Sequence, residues 1–392
     1  MSPVWDVPPD VRHIVFVSGT RADFGKLKPL IRAVADSEAF EYQVFATGMH
    51  MLARYGRTVQ EIHKSGFDHV HPFVNQDGSI SSQMDIVLAS TVQGLGHFVR
   101  EARPDLLVIH GDRIEALAAA IVGALNNLLV AHIEGGEVSG TVDEVIRHSI
   151  SKLAHIHFVA NEEARGRLLQ LGEQTESIRV VGSPEVDVLL SPDLPDIAEV
   201  KSRYEIPFDR YAILMYHPVT TELEQLHERA TEVVEGVLAS DLDFVVIYPN
   251  NDAGSEVILH EIERLRSNPR FRLIPSMRFE YFVTLLKNAR AIVGNSSAGV
   301  REAPVHGVPT VDVGSRQSNR SSSPHILHVP EDRRAIAGAI ADCPVSVPAS
   351  NYFGDGLTAR RFLAALESDS FWATPRQKRF RDGPVPEASA ES

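Results

Sequence analysis

The 392-residue chain contains a single cysteine, Cys343. That excludes an internal disulfide and any metal site built on clustered cysteines. It suits a reducing compartment, so a cytoplasmic location is expected. Long apolar runs are absent too. The longest, around 116–125, is far short of the roughly 20 residues a membrane span needs. The first eleven residues lack the basic and apolar regions of a secretory leader. Positive charge is in deficit: 38 Lys and Arg against 52 Asp and Glu leave a net −14. A nucleic-acid or anionic-membrane partner is therefore not expected. An anionic small ligand stays open, because a few clustered arginines suffice to hold one. No G-x-G-x-x-G opens a strand–helix unit and no H-E-x-x-H occurs. No His/carboxylate set has convincing metal spacing, so no metal is expected.

What is present is a recurring unit: a short apolar run, a glycine-rich or polar turn, then a helical pattern. Strands are expected at 13–18, 42–46, 106–110, 128–132 and 156–160, with helices at 26–37, 114–125 and 162–171. Fully apolar strands alternating with helices indicate a parallel sheet covered on both faces. The pattern pauses over 187–209, read as a linker with a short helix. It restarts with strands at 211–216, 244–248, 291–293 and 310–313. The expected fold is therefore α/β: two Rossmann-like, doubly wound domains, 1–187 and 188–356, facing each other across a cleft. The Pro-, Arg- and Ser-rich tail at 373–392 reads as disordered.

The polar motifs follow directly after strands, where open α/β sheets bind ligands. In the second half, Gly294-Asn295-Ser296-Ser297-Ala298-Gly299 opens a helix, with Glu302 about one and a half turns in. Small residues and a helix N-terminus suit a pyrophosphate, and a nearby carboxylate suits a ribose; a plain helix cap is the competing reading. Arg316 and Arg320 add two guanidiniums after the next strand, suited to phosphate or to a solvated loop. His217 ends a strand as a phosphate ligand, a general acid or a structural histidine. In the first half, Arg21 is a candidate phosphate or leaving-group ligand, while Lys26 and Lys28 read as solvated. His155 and His157 read as packing. Asp112 and Glu134 stand just past strands, and Asp143 precedes a helix with Arg147 four residues on. Several carboxylates at one site can supply both an acid and a base. A turn-forming Asp112 and a helix-capping Asp143 are the alternatives.

Taken in order, Ser18-Gly19-Thr20-Arg21-Ala22-Asp23, His110-Gly111-Asp112-Arg113, His132 through Thr141, Arg147-His148, His217-Pro218-Val219-Thr220, Gly294-Asn295-Ser296-Ser297 and Gly314-Ser315-Arg316-Gln317 resemble the hydrolysing UDP-N-acetylglucosamine 2-epimerases of sialic acid biosynthesis. The resemblance runs from about residue 12 to 366. It implies a glycosyltransferase-B-like fold, with a C-terminal helix near 357–372 returning to the first domain. It implies no metal or organic cofactor, a UDP-sugar substrate, and a homo-oligomer, dimer or tetramer. It also implies a reaction in which the C2 proton and UDP are lost to give a 2-acetamidoglucal, which water converts to N-acetylmannosamine. Residues 134–141 are similar to the hydrolysing branch. By the same resemblance Asp112, Glu134 and Asp143 match catalytic carboxylates, Arg147 an active-site arginine and His217 a cleft histidine. Arg21, Ser296, Ser297, Glu302 and Arg316 match UDP ligands, and Asn250 a position near the substrate. The same chemistry on a UDP-2,4-diacetamido-trideoxyhexose or a GDP-sugar, and the non-hydrolysing reaction, remain alternatives.

Overall fold

Runs of Val, Ile, Leu and Phe without polar alternation are satisfied only by strands covered on both faces. In the computed structural model, which describes residues 11–53, 56–76, 83–139, 142–219, 222–249, 254–317, 325–379 and 381–382, these runs are parallel strands. The chain divides into two units, Met1–Val188 with Tyr352–Ser392, and Leu189–Asn351. The first holds β1 (Arg12–Ser18), β2 (Phe40–Ala46), β3 (Val70–Pro72), β4 (Leu106–His110), β5 (Leu129–Ile133), β6 (Ile156–Val159) and β7 (Ile178–Val180), in spatial order 3-2-1-4-5-6-7. The second holds β8 (Tyr211–Met215), β9 (Asp243–Ile247), β10 (Phe271–Ile274), β11 (Ile292–Gly294), β12 (Thr310–Val313) and β13 (Ile326–Val329), in order 10-9-8-11-12-13. Both are doubly wound, so each has one point where strand order reverses and a crevice opens beyond the strand ends. These points lie between β1 and β4, where Ile14 pairs with Leu106, and between β8 and β11, where Ile213 pairs with Ile292.

The four strands that drew no sequence expectation, β3, β7, β10 and β13, are all sheet edges of three or four residues. Edge strands are short and half covered, so their apolar signal is weak. The first helix begins at Arg21, five residues earlier than its periodicity suggests. Thr20 caps it, its Oγ1 accepting from Asp23 N at 3.2 Å.

The expected linker at 187–209 is built in at its start. Asp187 lies within the short helix Pro184–Leu189 and accepts from the backbone of Thr358 (2.9 Å) and Ala359 (2.7 Å), capping the distant helix Thr358–Leu366. The helix Ile197–Tyr204 follows. Helix Thr358–Leu366 buries Phe362 and Leu366 in the core of the first unit, with Phe371 beyond them. The Phe362 ring centroid lies 4.9 Å from that of Phe158 and 6.4 Å from that of Phe16.

The tail departs from the expected disorder over 373–379 and at 381–382. Lys378 Nζ reaches Glu173 (2.5 Å) and the carbonyls of Ser151 (2.8 Å) and Ala154 (2.6 Å). His155 Nε2 donates to the Arg376 carbonyl (2.9 Å). Charge and backbone bonding order this stretch rather than apolar periodicity, which is why composition misreads it. His157 meets the same buried Glu173 at 3.0 Å.

Candidate active site

Two strand ends build the site of the first unit. β4 ends on His110, and Asp112 follows in the turn; β5 ends at Ile133, and Glu134 comes next. Glu134 has φ of 60°, a left-handed backbone that a residue with a Cβ adopts at a cost of about 1–3 kcal/mol. Its N–H donates to Phe158 O at 2.9 Å. Its buried carboxylate is gripped on both oxygens: Oε2 accepts from His110 Nε2 (2.9 Å) and Lys26 Nζ (3.0 Å), and Oε1 accepts from the Ser183 hydroxyl. Lys26 also lies 3.5 Å from Glu185, and His110 Nδ1 lies 3.6 Å from Asp23. The expectation of a solvated Lys26 is thus corrected. A lysine on a helix reads as surface, but this one lies in the turn facing the end of β5.

Burial alone would lower the pKa of His110, but the Asp23 and Glu134 carboxylates outweigh it and raise it to about 9. Burial would raise Asp23, and His110 holds it below its usual value instead. The folded state thus keeps a proton on His110 that the unfolded chain releases above about pH 6.5. That stabilisation is complete below about pH 6.5 and is lost as pH rises through 9. On the acid side, burial lowers His132 to about 3 and His217 to about 4, so both stay neutral in the fold and take up protons on unfolding. Stability is therefore expected to fall on both flanks of neutrality. Urea unfolding across pH checks it, and His110→Gln is expected to flatten the alkaline limb.

Beside this cluster Arg147 forms an ion pair with Asp112 and donates to Glu137 O (3.0 Å) and Ser139 Oγ (3.3 Å). Arg147 sits on helix Val142–Leu153. One turn on, Ser151 bonds His132 Nδ1 (3.1 Å), whose Nε2 donates to Gly111 O (2.7 Å). Two rungs thus tie this helix to the Gly111-Asp112 turn. Asp143 lies exposed in the first turn of the same helix, while Arg147 is buried toward Asp112.

In the second unit Asn295 spans the strand-order reversal. Its Oδ1 accepts from His217 N (2.7 Å), its Nδ2 donates to His217 O (2.8 Å), and its carbonyl accepts from Arg316 Nη1 (3.1 Å) and Gln317 Nε2 (2.9 Å). Gly294, at φ of 123°, lets this turn press on β8; a Cβ there would stand 2.1 Å from Met215 O. His217, Ser296 and Glu302 are buried beside it and Ser297 half-buried. Burial first, then the charge of Arg316, lowers the His217 pKa to about 4 and holds the ring neutral. The expected helix start is also different. Ser296 caps a 3-10 turn, Ser297–Gly299, and Glu302 begins a four-residue helix, Glu302–Val305, that contains Pro304. Glu302 is thus not deep in a helix, and the anion-binding case rests on N–H and hydroxyl donors rather than on a long helix dipole.

Arg21 pairs with Glu61 at 3.2 Å on the surface. Asn250 and Arg320 lie outside the described residues. Sequence reasoning missed His110 as a site residue, along with Asp23, Ser183, Glu185 and Asn295. His110 was legible as the last residue of a strand pointing to the carboxyl edge. Ser183 was not, since nothing local marks it.

Two doubly wound parallel sheets, each with a polar turn beyond its reversal point, give the chain a glycosyltransferase-B-like α/β fold. The family model for UDP-N-acetylglucosamine 2-epimerase matches residues 32–367. A UDP-N-acetylglucosamine 2-epimerase of Neisseria meningitidis serogroup B is 46% identical over 377 residues, 95% of this chain and 99% of the relative. A UDP-N,N'-diacetylbacillosamine 2-epimerase (hydrolyzing) of Legionella pneumophila is 34% identical, over 91% of this chain and 96% of the relative. The crystal structure of a Neisseria meningitidis UDP-GlcNAc 2-epimerase bound to UDP-GlcNAc shares the fold with a TM-score of 0.74 at 18% identity, covering 90% of this chain and 99% of that one. The chain belongs to the UDP-N-acetylglucosamine 2-epimerase family. Among the described residues no helix is long and apolar enough to cross a membrane.

Proposed function

We propose that the protein hydrolyses UDP-N-acetylglucosamine with inversion at C2, releasing UDP and N-acetylmannosamine. The observation that carries this is Glu134, a strained, buried carboxylate gripped by His110, Lys26 and Ser183 beside the Asp112–Arg147 pair. A carboxylate so held is fixed in orientation for proton transfer at one atom. In the first step the C2–H bond breaks, its proton passing to a carboxylate. The C1–O bond breaks with its electron pair leaving on UDP, and C1=C2 forms. In the second, water adds, OH to C1 and a proton to C2 from the opposite face. Elimination from an unactivated carbon depends on stabilising the leaving group. Arg316, the hydroxyls of Ser296 and Ser297, and neutral His217 as an N–H donor are assigned to the diphosphate. Glu302 is assigned to the ribose. Asp112, Glu134 and Asp143 share the acid–base work, with Arg147 setting Asp112.

Similarity to a relative named as hydrolyzing supports release of free sugar. That relative's name also supports a second reading, the same chemistry on a UDP-linked diacetamido sugar. Proton NMR in heavy water with both nucleotide sugars decides. Free N-acetylmannosamine carrying deuterium at C2, with equimolar UDP, is expected from UDP-N-acetylglucosamine. UDP-N-acetylmannosamine would overturn the hydrolytic reading, and turnover of the diacetamido substrate alone would replace the substrate. Arg316→Ala is expected to weaken UDP binding about tenfold to a hundredfold by calorimetry, the scale of hydrogen bonds to a charged group. Unchanged affinity would remove Arg316 from the diphosphate.

A further inference from the structure

We infer that Ser183, itself fixed by the returning segment Phe353–Thr358, is a positioning residue that sets the plane of the Glu134 carboxylate. The inference rests on the proposed acid–base role of Glu134. Ser183 is fully buried in the turn between β7 and the helix Pro184–Leu189. Its Oγ accepts from Glu185 N at 3.3 Å, which leaves its own proton for Glu134 Oε1. The Ser183 backbone is held as firmly as its side chain. Its N–H donates to Phe353 O at 2.6 Å, and its carbonyl accepts from Thr358 Oγ1 at 3.0 Å. The preceding Gly182, at φ of 97°, lets the two segments touch. A Cβ there would lie 2.8 Å from Thr358 Oγ1 and 3.2 Å from Gly354 Cα.

Two features show why a carboxylate needs this. The terminal torsion of a glutamate is broad and roughly two-fold, so rotamer preference alone does not orient its oxygens. The backbone of Glu134 is strained, so its place depends on contacts rather than on local preference. His110 and Lys26 both draw on Oε2. The Ser183 proton on Oε1 opposes that pull and fixes the plane. The chain thus uses residues 175 positions apart to aim one carboxylate.

Ser183→Ala is expected to lower kcat about tenfold to a hundredfold, with KM and UDP affinity unchanged. Thr358→Val, which removes the donor to the Ser183 carbonyl, is expected to act in the same direction more weakly. Thr358→Ser, which keeps that donor, restores the rate. A readout free of substrate is the titration of His110 by 15N NMR, its signal assigned by its loss in His110→Gln. As the Glu134 carboxylate turns from Nε2, the His110 pKa in Ser183→Ala is expected to fall below about 9, with Asp23 still holding it above its ordinary value. An unmoved His110 titration, or a rate loss that only follows lowered melting temperature or UDP affinity, overturns the inference. Failure of the wild-type protein to turn over any nucleotide sugar would instead overturn the proposed reaction, and the His110 titration would still decide the role of Ser183.

Discussion

Glu134→Gln is expected to lower turnover about 10²–10⁴-fold, the usual contribution of a general acid–base group, while UDP binds as before. The substitution keeps the shape of the side chain and one oxygen for the donors around it, but it removes the charge. His110 and Lys26 then face an amide, and the nearby carboxylates Asp23 and Glu185 must neutralise them alone. The groups assigned to the nucleotide belong to the second unit, so UDP affinity by calorimetry is expected to hold. Near-normal release of UDP from the nucleotide sugar would take Glu134 out of the chemistry. A parallel collapse of UDP affinity would make it a scaffold residue.

Phe362→Ala is expected to cost about 3–5 kcal/mol, the range for deleting a buried aromatic ring. Phe362 has no exposed surface and its ring meets Phe158 and Phe16 beneath the first sheet. Urea unfolding measures it. Because the same helix begins at Thr358, which bonds the Ser183 carbonyl, activity is expected to fall before the unit unfolds. A cost below about 1 kcal/mol would mean that the return helix is not part of the core.

The central strands were legible because they are covered on both faces and carry uninterrupted apolar runs; β4 and β12 begin and end where the sequence pattern places them. Edge strands such as β3 and β13 were not, for want of that signal. The carboxylates Asp112 and Glu134 were legible from their place just after strands. Their partners were not. Lys26 carries no mark distinguishing a helix lysine in water from one turned onto a carboxylate. Ser183 acquires its meaning from Phe353 and Thr358, which lie far away in the chain. The short 3-10 turn at Ser297–Gly299 escaped notice because an Asn-Ser-Ser start looks the same before a long helix as before a broken one. The ordering of Lys378 depends on buried Glu173, which no local pattern around residue 378 reveals.

The division of the chain bears on how the molecule is made. Leu189–Asn351 is continuous, whereas the other unit needs Phe362, Leu366 and Phe371 from beyond it. During synthesis, at about 5–20 residues per second, the amino-terminal sheet must wait on the ribosome with part of its greasy underside bare until the last stretch emerges. The inserted unit can finish first. Nascent chains stalled before residue 358 are therefore the ones that need a chaperone's shelter, and a gene cut after Val188 yields a fragment missing its own plug.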